Sequence, residues 1–266
     1  MNRNEMRRWL IHALLEEMPQ YQYPVFPCSA ERQWRLLRSL MNVRPPMPAS
    51  EEFLRIQDTF LKDMTAEKGI TDADSLPPCA GDSRLVLWQG DITVLKCDAI
   101  VNAANSQLLG CFSPCHGCID NIIHTMSGVQ LRLACHELMQ AQGHEEPTGR
   151  AKITPGFNLP AGYVLHTVGP VINDTVTEEA EALLASCYRS CLDLAAQHGL
   201  RSVAFCCIST GVFRFPADRA AEIAVQAVEE FLQKETSIRR VIFNVFKDSD
   251  LAIYRGLLAQ GEAGYK

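Results

Sequence analysis

Residues 99–120 read AIVNAANSQLLGCFSPCHGCID, and this stretch decides how the rest of the chain is interpreted. Its first part, Ala99 to Ala103, is a short apolar run of the kind that forms a strand buried on both faces. A loop with proline and glycine follows, and Ile119 then begins a segment with apolar residues at helical spacing. The stretch predicts a strand, a loop and a helix, with the loop at the carboxyl end of the strand, where α/β proteins usually bind ligands.

Four metal-binding side chains lie in that loop. Cys111, Cys115, His116 and Cys118 fall within eight residues of sequence. Thiolate and neutral imidazole are the usual ligands of Zn²⁺, and glycine and proline allow a short loop to fold around one ion. The sequence therefore predicts a zinc site, which is either a structural site with four protein ligands or a catalytic site with three ligands and one open position.

Strands and helices alternate in the chain after residue 80. Besides Ala99–Ala103, short runs rich in Val, Ile and Phe predict strands at Arg84–Trp88, Gly162–Val168, Ser202–Ile208 and Arg240–Phe246. Helical spacing of apolar residues predicts helices at Ile119–Gln140, Glu178–His198, Ala217–Lys234 and Asp250–Ala259. This alternation favours an α/β fold with a mixed or mostly parallel sheet and helices on both faces.

The chain divides near residue 80 into two predicted parts. Residues 1–80 form a helical N-terminal extension, and residues 81–266 form the α/β domain. Within the extension, apolar residues recur at helical spacing from Arg7 to Met18, after Ser29 and after Ser50, and both serines suit an N-cap. These segments carry apolar stripes and no evident chemistry, so we expect them to pack on the main domain rather than to bind a partner.

Composition argues against several classes of protein. The chain has 266 residues, 47% of them hydrophobic, which suffices for one large domain with an extension. Its net charge of −6 does not favour binding of nucleic acid. The sequence contains no apolar run long enough to span a membrane, and its N-terminus lacks the apolar region of a signal peptide. Its eleven cysteines then indicate a reducing compartment, and we expect a cytoplasmic protein.

Two further loops follow predicted strands. Asp91 comes directly after the first strand, where its carboxylate can accept hydrogen bonds from a ligand or simply cap a turn. Residues 209–213 read STGVF and precede a predicted helix, and backbone N–H groups in such a place suit a phosphate, although a plain connecting turn has the same composition. Because each loop follows a strand, we expect both of them to meet the cysteine-rich loop at one edge of the sheet.

Four motifs in this order resemble those of macrodomains, which are α/β/α modules that bind ADP-ribose. They are GDIT at residues 90–93, DAIVNAAN at 98–105, HTVGP at 166–170 and STGVF at 209–213. The resemblance covers about residues 82–260. It implies a three-layer α/β/α fold with a mixed central sheet, preceded here by the helical extension.

Residues 102–110 resemble the hydrolase branch of MacroD type, in which a glycine-rich loop and a Val-Asp pair follow. In this chain the longer loop Cys111–Cys118 replaces the glycines, and Ile119-Asp120 stands at the Val-Asp pair. This departure and the helical extension resemble the zinc-dependent macrodomains of bacteria. Those proteins are protein ADP-ribosyl hydrolases, often encoded beside a sirtuin-type ADP-ribosyltransferase and a lipoyl-carrier protein.

The resemblance implies a role for each residue that matches a motif. Asp91 is expected to hold the adenine amine beside the Ile92 backbone, and Asn105 to contact the distal ribose. The residues expected to surround the diphosphate are Ser209, Thr210, Gly211, Val212 and Phe213, with Phe213 packed on the distal ribose.

The zinc ligands that the resemblance implies are Cys111, His116 and Cys118, and Cys118 is also expected to lie against the bound ADP-ribose. A second set, formed by Cys115, His116 and Cys118, stays open. For catalysis the resemblance points to Asp120 and Asn105. Asp120 is either an acid/base near the anomeric carbon or an N-cap of the following helix.

Three functions are compatible with these features. The first is a zinc-dependent hydrolase that removes mono-ADP-ribose from modified protein side chains. The second is a reader that binds ADP-ribosylated protein without cleaving it and carries a structural zinc. The third, a zinc module that binds nucleic acid, is disfavoured by the acidic charge balance. The expected partners are therefore ADP-ribose and mono-ADP-ribosylated protein, with a lipoyl-carrier protein among the candidates, and neither nucleic acid nor a membrane.

Overall fold

The computed structural model describes residues 1–21 and 26–260. The predicted end of the domain at residue 266 lies outside the described residues. The helices are α1 (Arg3–Glu17), α2 (Ala30–Val43), α3 (Glu51–Lys68), α4 (Ile119–Ser127), α5 (Val129–Gln142), α6 (Glu178–Gln197), α7 (Ala217–Leu232) and α8 (Asp248–Gln260). The strands are β1 (Thr71–Asp72), β2 (Leu85–Gln89), β3 (Leu95–Lys96), β4 (Ala99–Ala104), β5 (Ala151–Pro155), β6 (Tyr163–Val168), β7 (Ser202–Phe205) and β8 (Arg240–Val245).

Six strands form the central sheet in the order β2-β8-β7-β4-β6-β5. All neighbours pair in parallel except β5, which pairs antiparallel with β6 at the edge. Helices flank this mixed sheet, and the predicted α/β/α fold is confirmed. No helix within the described ranges is both long enough and apolar enough to cross a membrane.

The structure differs from the sequence analysis most clearly at three places. The helix predicted at Ile119–Gln140 is two helices, α4 and α5, because the chain turns at Gly128 with φ 98°. The strand predicted at Ser202–Ile208 ends at Phe205. The sequence analysis did not predict strand β5, whose sequence is AKITP. It contains a half-buried lysine and ends in proline, and both features are typical of edge strands rather than of buried ones.

Helices α1 to α3 pack around an apolar core of their own. Its fully buried members include Leu10, Ile11, Leu14, Leu37 and Leu61. The predicted caps are present, since the Ser29 hydroxyl accepts from the N–H of Arg32 at 3.3 Å and that of Ser50 from Phe53 at 3.1 Å. The larger core surrounds the central sheet, and only Val129 of α5 is buried in the smaller one from outside the extension.

The chain between α3 and β2 already packs against the α/β unit. Strand β1 pairs in parallel with β3 in a separate two-stranded sheet. Ala73 is buried in the larger core, and the Arg240 guanidinium donates to the carbonyls of Ala73 and Leu76. Residues 71–76 thus bridge the two units, and the division near residue 80 stays a prediction.

Candidate functional site

Parallel pairing brings the predicted ligand loops to one edge of the sheet. Strands β2, β4 and β7 run in the same direction, so their carboxyl ends lie together. Asp91 follows β2, Asn105 follows β4, and the loop beginning at Ser209 follows β7. This edge is the usual ligand-binding side of an open α/β sheet.

Asp91 is held at the start of a 3₁₀ turn by three hydrogen bonds. Its Oδ1 accepts from the N–H and the hydroxyl of Thr93 at 3.0 and 2.6 Å, and its Oδ2 accepts from Lys68 Nζ at 2.9 Å. Burial raises the pKa of Asp91, but these hydrogen bonds and the Lys68 charge outweigh burial and lower it below 3.8. The carboxylate is therefore ionised at neutral pH, and Oδ2 retains a lone pair for a further donor such as an amine.

The loop after β7 has the geometry of an anion site. Ser209 adopts φ 65°, and its buried hydroxyl finds no partner within the described ranges. Among the residues that the structure describes, the backbone N–H groups of Gly211, Val212 and Phe213 donate to no backbone carbonyl. A Cβ at Gly169 would lie 2.1 Å from the Ser209 Oγ, so the loop depends on the absence of a side chain there. Free backbone N–H groups in such a loop favour a phosphate ligand.

The three ligand atoms of Cys111, His116 and Cys118 lie within 4.8 Å of one another. Ligand atoms around one tetrahedral Zn²⁺ are roughly 3.5 Å apart, so a small contraction of the loop would complete the coordination. Two sulfurs and one ring nitrogen also match the preference of zinc for soft and borderline donors. These residues therefore fit the ion that the sequence predicts.

Cys115 is oriented differently from the other two cysteines of the loop. It adopts φ 53°, and its N–H donates to Asn42 Oδ1 at 2.9 Å. Its Sγ lies 3.2 Å from the Ser39 hydroxyl and donates to the Arg35 carbonyl at 3.3 Å. Cys115 thus contacts α2, and the alternative ligand sets that include Cys115 have no geometric support.

Asn105 shapes the start of the loop. Its Nδ2 donates to the carbonyl of Gly110 at 3.1 Å, and its Oδ1 accepts from the N–H of Gln107 at 3.0 Å. Gly110 directly precedes Cys111, so the side chain predicted to contact the distal ribose also links β4 to the loop Cys111–Cys118. This loop is named the metal loop, after the ligands predicted in it.

Asp120 lies in the first turn of α4, but the N-cap of that helix is Cys118. The Cys118 sulfur accepts from the N–H of Asn121 at 3.4 Å, so the interpretation of Asp120 as the cap is wrong. Asp120 is instead 5% exposed and accepts from Asn102 Nδ2 at 2.8 Å. Burial raises the pKa of Asp120 to about 6, against the opposing effects of Asn102 and Arg132. Its carboxyl can therefore hold or release a proton near neutral pH.

Behind Asp120 lies a second group of metal-binding side chains, formed by His124, Cys135 and His166. All three are buried, and both ring nitrogens of His166 already have partners, Asn102 at 3.2 Å and Thr154 at 2.9 Å. Burial lowers the pKa of His166 to about 3, so the ring is neutral. With its lone pair in use, His166 belongs to a hydrogen-bonded core network rather than to a metal site.

Sequence reasoning missed the residues that hold the metal loop from outside. Arg38 on α2 and Arg132 on α5 donate to the loop or to the segment beside it, and Asn42 on α2 accepts from the N–H of Cys115. Asn121 was overlooked although it neighbours Asp120. The only signal in the sequence is this neighbouring position, because contacts across 80 residues leave no local pattern.

Known proteins resemble this chain in family, sequence and fold. The Macro domain family matches residues 101–224. A protein-ADP-ribose hydrolase of Treponema medium is 56% identical over 97% of this chain and 100% of its own length. A protein of the same name from Staphylococcus aureus (strain MSSA476) is 53% identical over 93% of this chain and 92% of its own length. The Trypanosoma brucei macrodomain in complex with ADP-ribose is 31% identical and superimposes with a TM-score of 0.63, covering 83% of this chain and 94% of that one. Fold, motifs and relatives together place this chain in the macrodomain family.

Proposed function

We propose that this protein is a zinc-dependent hydrolase that removes mono-ADP-ribose from modified protein side chains. The observation that carries the proposal is that the ligand atoms of Cys111, His116 and Cys118 lie close together. The last of these residues, Cys118, precedes Asp120 by two positions, and the Asp120 carboxyl is buried. The names of the curated relatives from Treponema medium and Staphylococcus aureus support the removal of ADP-ribose from protein. Zinc dependence rests on the ligand geometry alone.

The loops at the carboxyl edge of the sheet divide the binding of ADP-ribose among them. Asp91 accepts from the adenine amine through its remaining lone pair, with the Ile92 backbone beside it. The free N–H groups of Gly211, Val212 and Phe213 donate to the diphosphate. Asn105 and Phe213 contact the distal ribose, with Ser209 and Thr210 completing the loop and Cys118 against the same sugar.

The reaction is hydrolysis of the bond between the anomeric carbon of the distal ribose and a protein side chain. The oxygen of water adds to the anomeric carbon, and the side chain leaves with a proton, through an oxocarbenium-like transition state. Asp120 is suited to accept and return the proton, because burial raises its pKa to about 6. Cys111, His116 and Cys118 would hold the metal ion, which when bound supplies Lewis-acid polarisation of an oxygen ligand.

The experiment that tests the proposal uses synthetic peptides that carry ADP-ribose on serine, aspartate or arginine. The purified chain is incubated with each peptide, with and without a zinc chelator, and free ADP-ribose is measured. We expect release from at least one peptide, its loss after chelation and its return when zinc is added. Release that persists after confirmed removal of the metal would refute the zinc mechanism.

The reader function is the alternative, and the same experiment separates it. A reader would bind the peptides and release no ADP-ribose in either condition. The orientation of Cys115 disfavours the closed four-ligand zinc that a purely structural site requires. The proposed partner is any mono-ADP-ribosylated protein, and the resemblance described above extends this to a lipoyl-carrier protein modified by a sirtuin-type transferase.

A further inference from the structure

Helix α2 of the extension lies along the metal loop, and Arg38 is its central contact. The guanidinium Nη2 donates to the carbonyl of His116 at 2.8 Å and to Oδ1 of Asn121 at 2.7 Å. Its Nε donates to the same Asn121 oxygen at 3.2 Å. One side chain thus contacts the backbone of a predicted metal ligand and the first turn of α4. Nη2 makes both contacts, and Nε adds a second hydrogen bond to Asn121 that a single ammonium would not supply.

Asn121 transmits this contact to the other two predicted ligands. The side chain is fully buried, and its Nδ2 donates to the carbonyls of Cys111 and Ser113 at 3.3 and 3.0 Å. Its backbone N–H donates to the Cys118 sulfur at 3.4 Å. Arg38 and Asn121 together therefore reach the backbone or side chain of all three residues that would bind zinc.

Two further contacts fix the same loop against α2. Cys115 is held by Asn42, as described above, and Arg132 of α5 donates to the carbonyl of Leu109 at 2.7 Å. The Arg132 guanidinium also donates to the carbonyls of Met41 and Arg44 at the end of α2, and it lies 4.2 Å from the centre of the Phe112 ring. The middle of the loop is thereby attached to the extension directly, and its start is attached through Arg132.

The loop has little internal structure of its own. The structure describes all of residues 111–118, and one backbone hydrogen bond has both partners within them. It runs from the N–H of His116 to the carbonyl of Ser113 at 3.2 Å. His116 and Gly117 are exposed. A short loop with so few internal contacts loses conformational entropy when it closes around an ion. Contacts from α2 restrict the loop before the ion binds and so reduce that cost.

We propose that Arg38 is a positioning residue, through which the N-terminal extension presets the loop Cys111–Cys118 for its metal ion. The extension is then part of the metal site rather than a separate packing unit. This inference rests on the proposed zinc ligands. Arg38 itself touches neither the ion nor the substrate, and it acts through the His116 backbone and through Asn121.

The test compares zinc affinity in full-length variants. Wild type, Arg38→Ala and Arg35→Ala are stripped of metal, and zinc binding is titrated in competition with a chromogenic chelator. Arg35 is the matched control, because it lies one turn earlier on α2, is exposed, and contributes only its backbone carbonyl to the loop. We expect about a 10–100-fold loss of zinc affinity for Arg38→Ala, the range for residues that orient metal ligands, and no change for Arg35→Ala. Arg38→Lys should fall between them, because one ammonium cannot reproduce the fork.

A second measurement separates positioning from a general effect on stability. The melting temperature of each variant is recorded with chelator and with zinc at one low concentration, and the difference reports binding of zinc to the folded protein. At a fixed low zinc concentration, this difference should shrink in Arg38→Ala and stay constant in Arg35→Ala. A variant that is merely less stable would melt lower in both conditions by the same amount.

Each outcome distinguishes the inference from the proposed function. Equal zinc affinity in wild type and Arg38→Ala would overturn the positioning role. Equal losses in Arg38→Ala and Arg35→Ala would also overturn it, since they would indicate an effect of charge. A wild type that binds no zinc would instead refute the proposed metal site itself.

Discussion

Asp120 is a carboxyl group whose burial favours its neutral form more strongly than Asn102 and Arg132 favour its charged form. It is buried between Asn102, which donates to it, and His124, whose Nε2 lies 3.5 Å from its Oδ1. Burial lowers the pKa of His124 well below 6.5, so this ring brings no positive charge to the pair. A carboxyl in such surroundings exchanges a proton near neutral pH, which is the property required of an acid/base.

Asp120→Asn tests this role. Asparagine keeps the size of the side chain and an oxygen for Asn102, but it cannot hold the transferred proton. We expect turnover of an ADP-ribosylated peptide to fall by about 10²–10⁴-fold, with zinc content and affinity for free ADP-ribose unchanged. Asp193→Asn, on an exposed face of α6, serves as the control. Turnover close to that of wild type would remove Asp120 from the reaction.

His166 predicts a dependence of stability on pH. Burial lowers the pKa of His166 from its usual 6.5 to about 3 in the folded protein. Between these two pH values, the ring therefore takes up a proton only when the chain unfolds. Its contribution to stability is complete above pH 6.5 and is lost as the pH falls toward 3. Between pH 7 and pH 5 this amounts to about 2 kcal/mol of unfolding free energy. Urea unfolding measures this effect at pH 7 and at pH 5. Between these values, the unfolding free energy of His166→Gln should fall by about 2 kcal/mol less than that of wild type. The control His144→Gln, at an exposed position, should behave like wild type.

At the scale of elements, Gly128 determines how the extension meets the α/β unit. It separates α4 from α5 with φ 98° and ψ 173°, a conformation open mainly to glycine. A Cβ there would lie 2.5 Å from Oε1 of Gln130 and 2.7 Å from Nε2 of Gln57. Gln57 is a fully buried residue of α3, and its Oε1 accepts from the N–H of Val129 at 2.9 Å. The break in the helix thus admits a side chain from the extension.

Gly128→Ala should therefore cost more than an ordinary glycine replacement. Gly143 at the end of α5 also has a positive φ, 77°, but a Cβ there meets nothing within 4 Å. We expect Gly143→Ala to lose about 1–2 kcal/mol from backbone strain alone. Gly128→Ala should lose a further 1–3 kcal/mol or so, because displacing Gln57 leaves the Val129 N–H unpaired. Denaturant titration measures both, and equal losses would show that Gln57 yields without cost.

The elements that sequence could predict are those with a strong local pattern. Strands β2, β4, β6 and β8 are buried apolar runs, and the caps at Ser29 and Ser50 mark their helices. The two-residue strands β1 and β3 were missed because their pairing depends on segments that lie about 24 residues apart. Of the site, the ligand loops follow from the strand order. The contacts of Arg38 with His116 and Asn121 do not, because α2 meets the loop only through tertiary packing.

At the scale of the whole molecule, the extension contacts both ends of the candidate site. Lys68 of α3 pairs with Asp91, the proposed adenine ligand, and Arg38 of α2 contacts His116, a proposed zinc ligand. These contacts lie on different helices and different loops. Affinity for ADP-ribose and affinity for zinc should therefore respond to separate substitutions.

Asp91→Ala measures that separation. Loss of the carboxylate should weaken binding of free ADP-ribose by about 1–3 kcal/mol, because the adenine amine loses its acceptor. Zinc content should be unchanged. Calorimetry and metal analysis of the same preparation give both numbers, and Asp72→Ala, which removes an exposed carboxylate paired with Lys96, is the control. Affinity equal to that of wild type would exclude Asp91 from the adenine site.

The boundary between the two apolar cores is crossed by buried polar contacts, among them Gln57 with Val129, Asn42 with Thr125, and Arg132 with the end of α2. Apolar surfaces tolerate sliding, but hydrogen bonds of this kind do not, since a shift of one helical turn would leave each donor unpaired at about 1–3 kcal/mol apiece. We therefore expect the extension to dock in a single register. The contacts of α2 with the metal loop should then form together or not at all. We expect a chain whose extension has detached to lose all of these contacts at once.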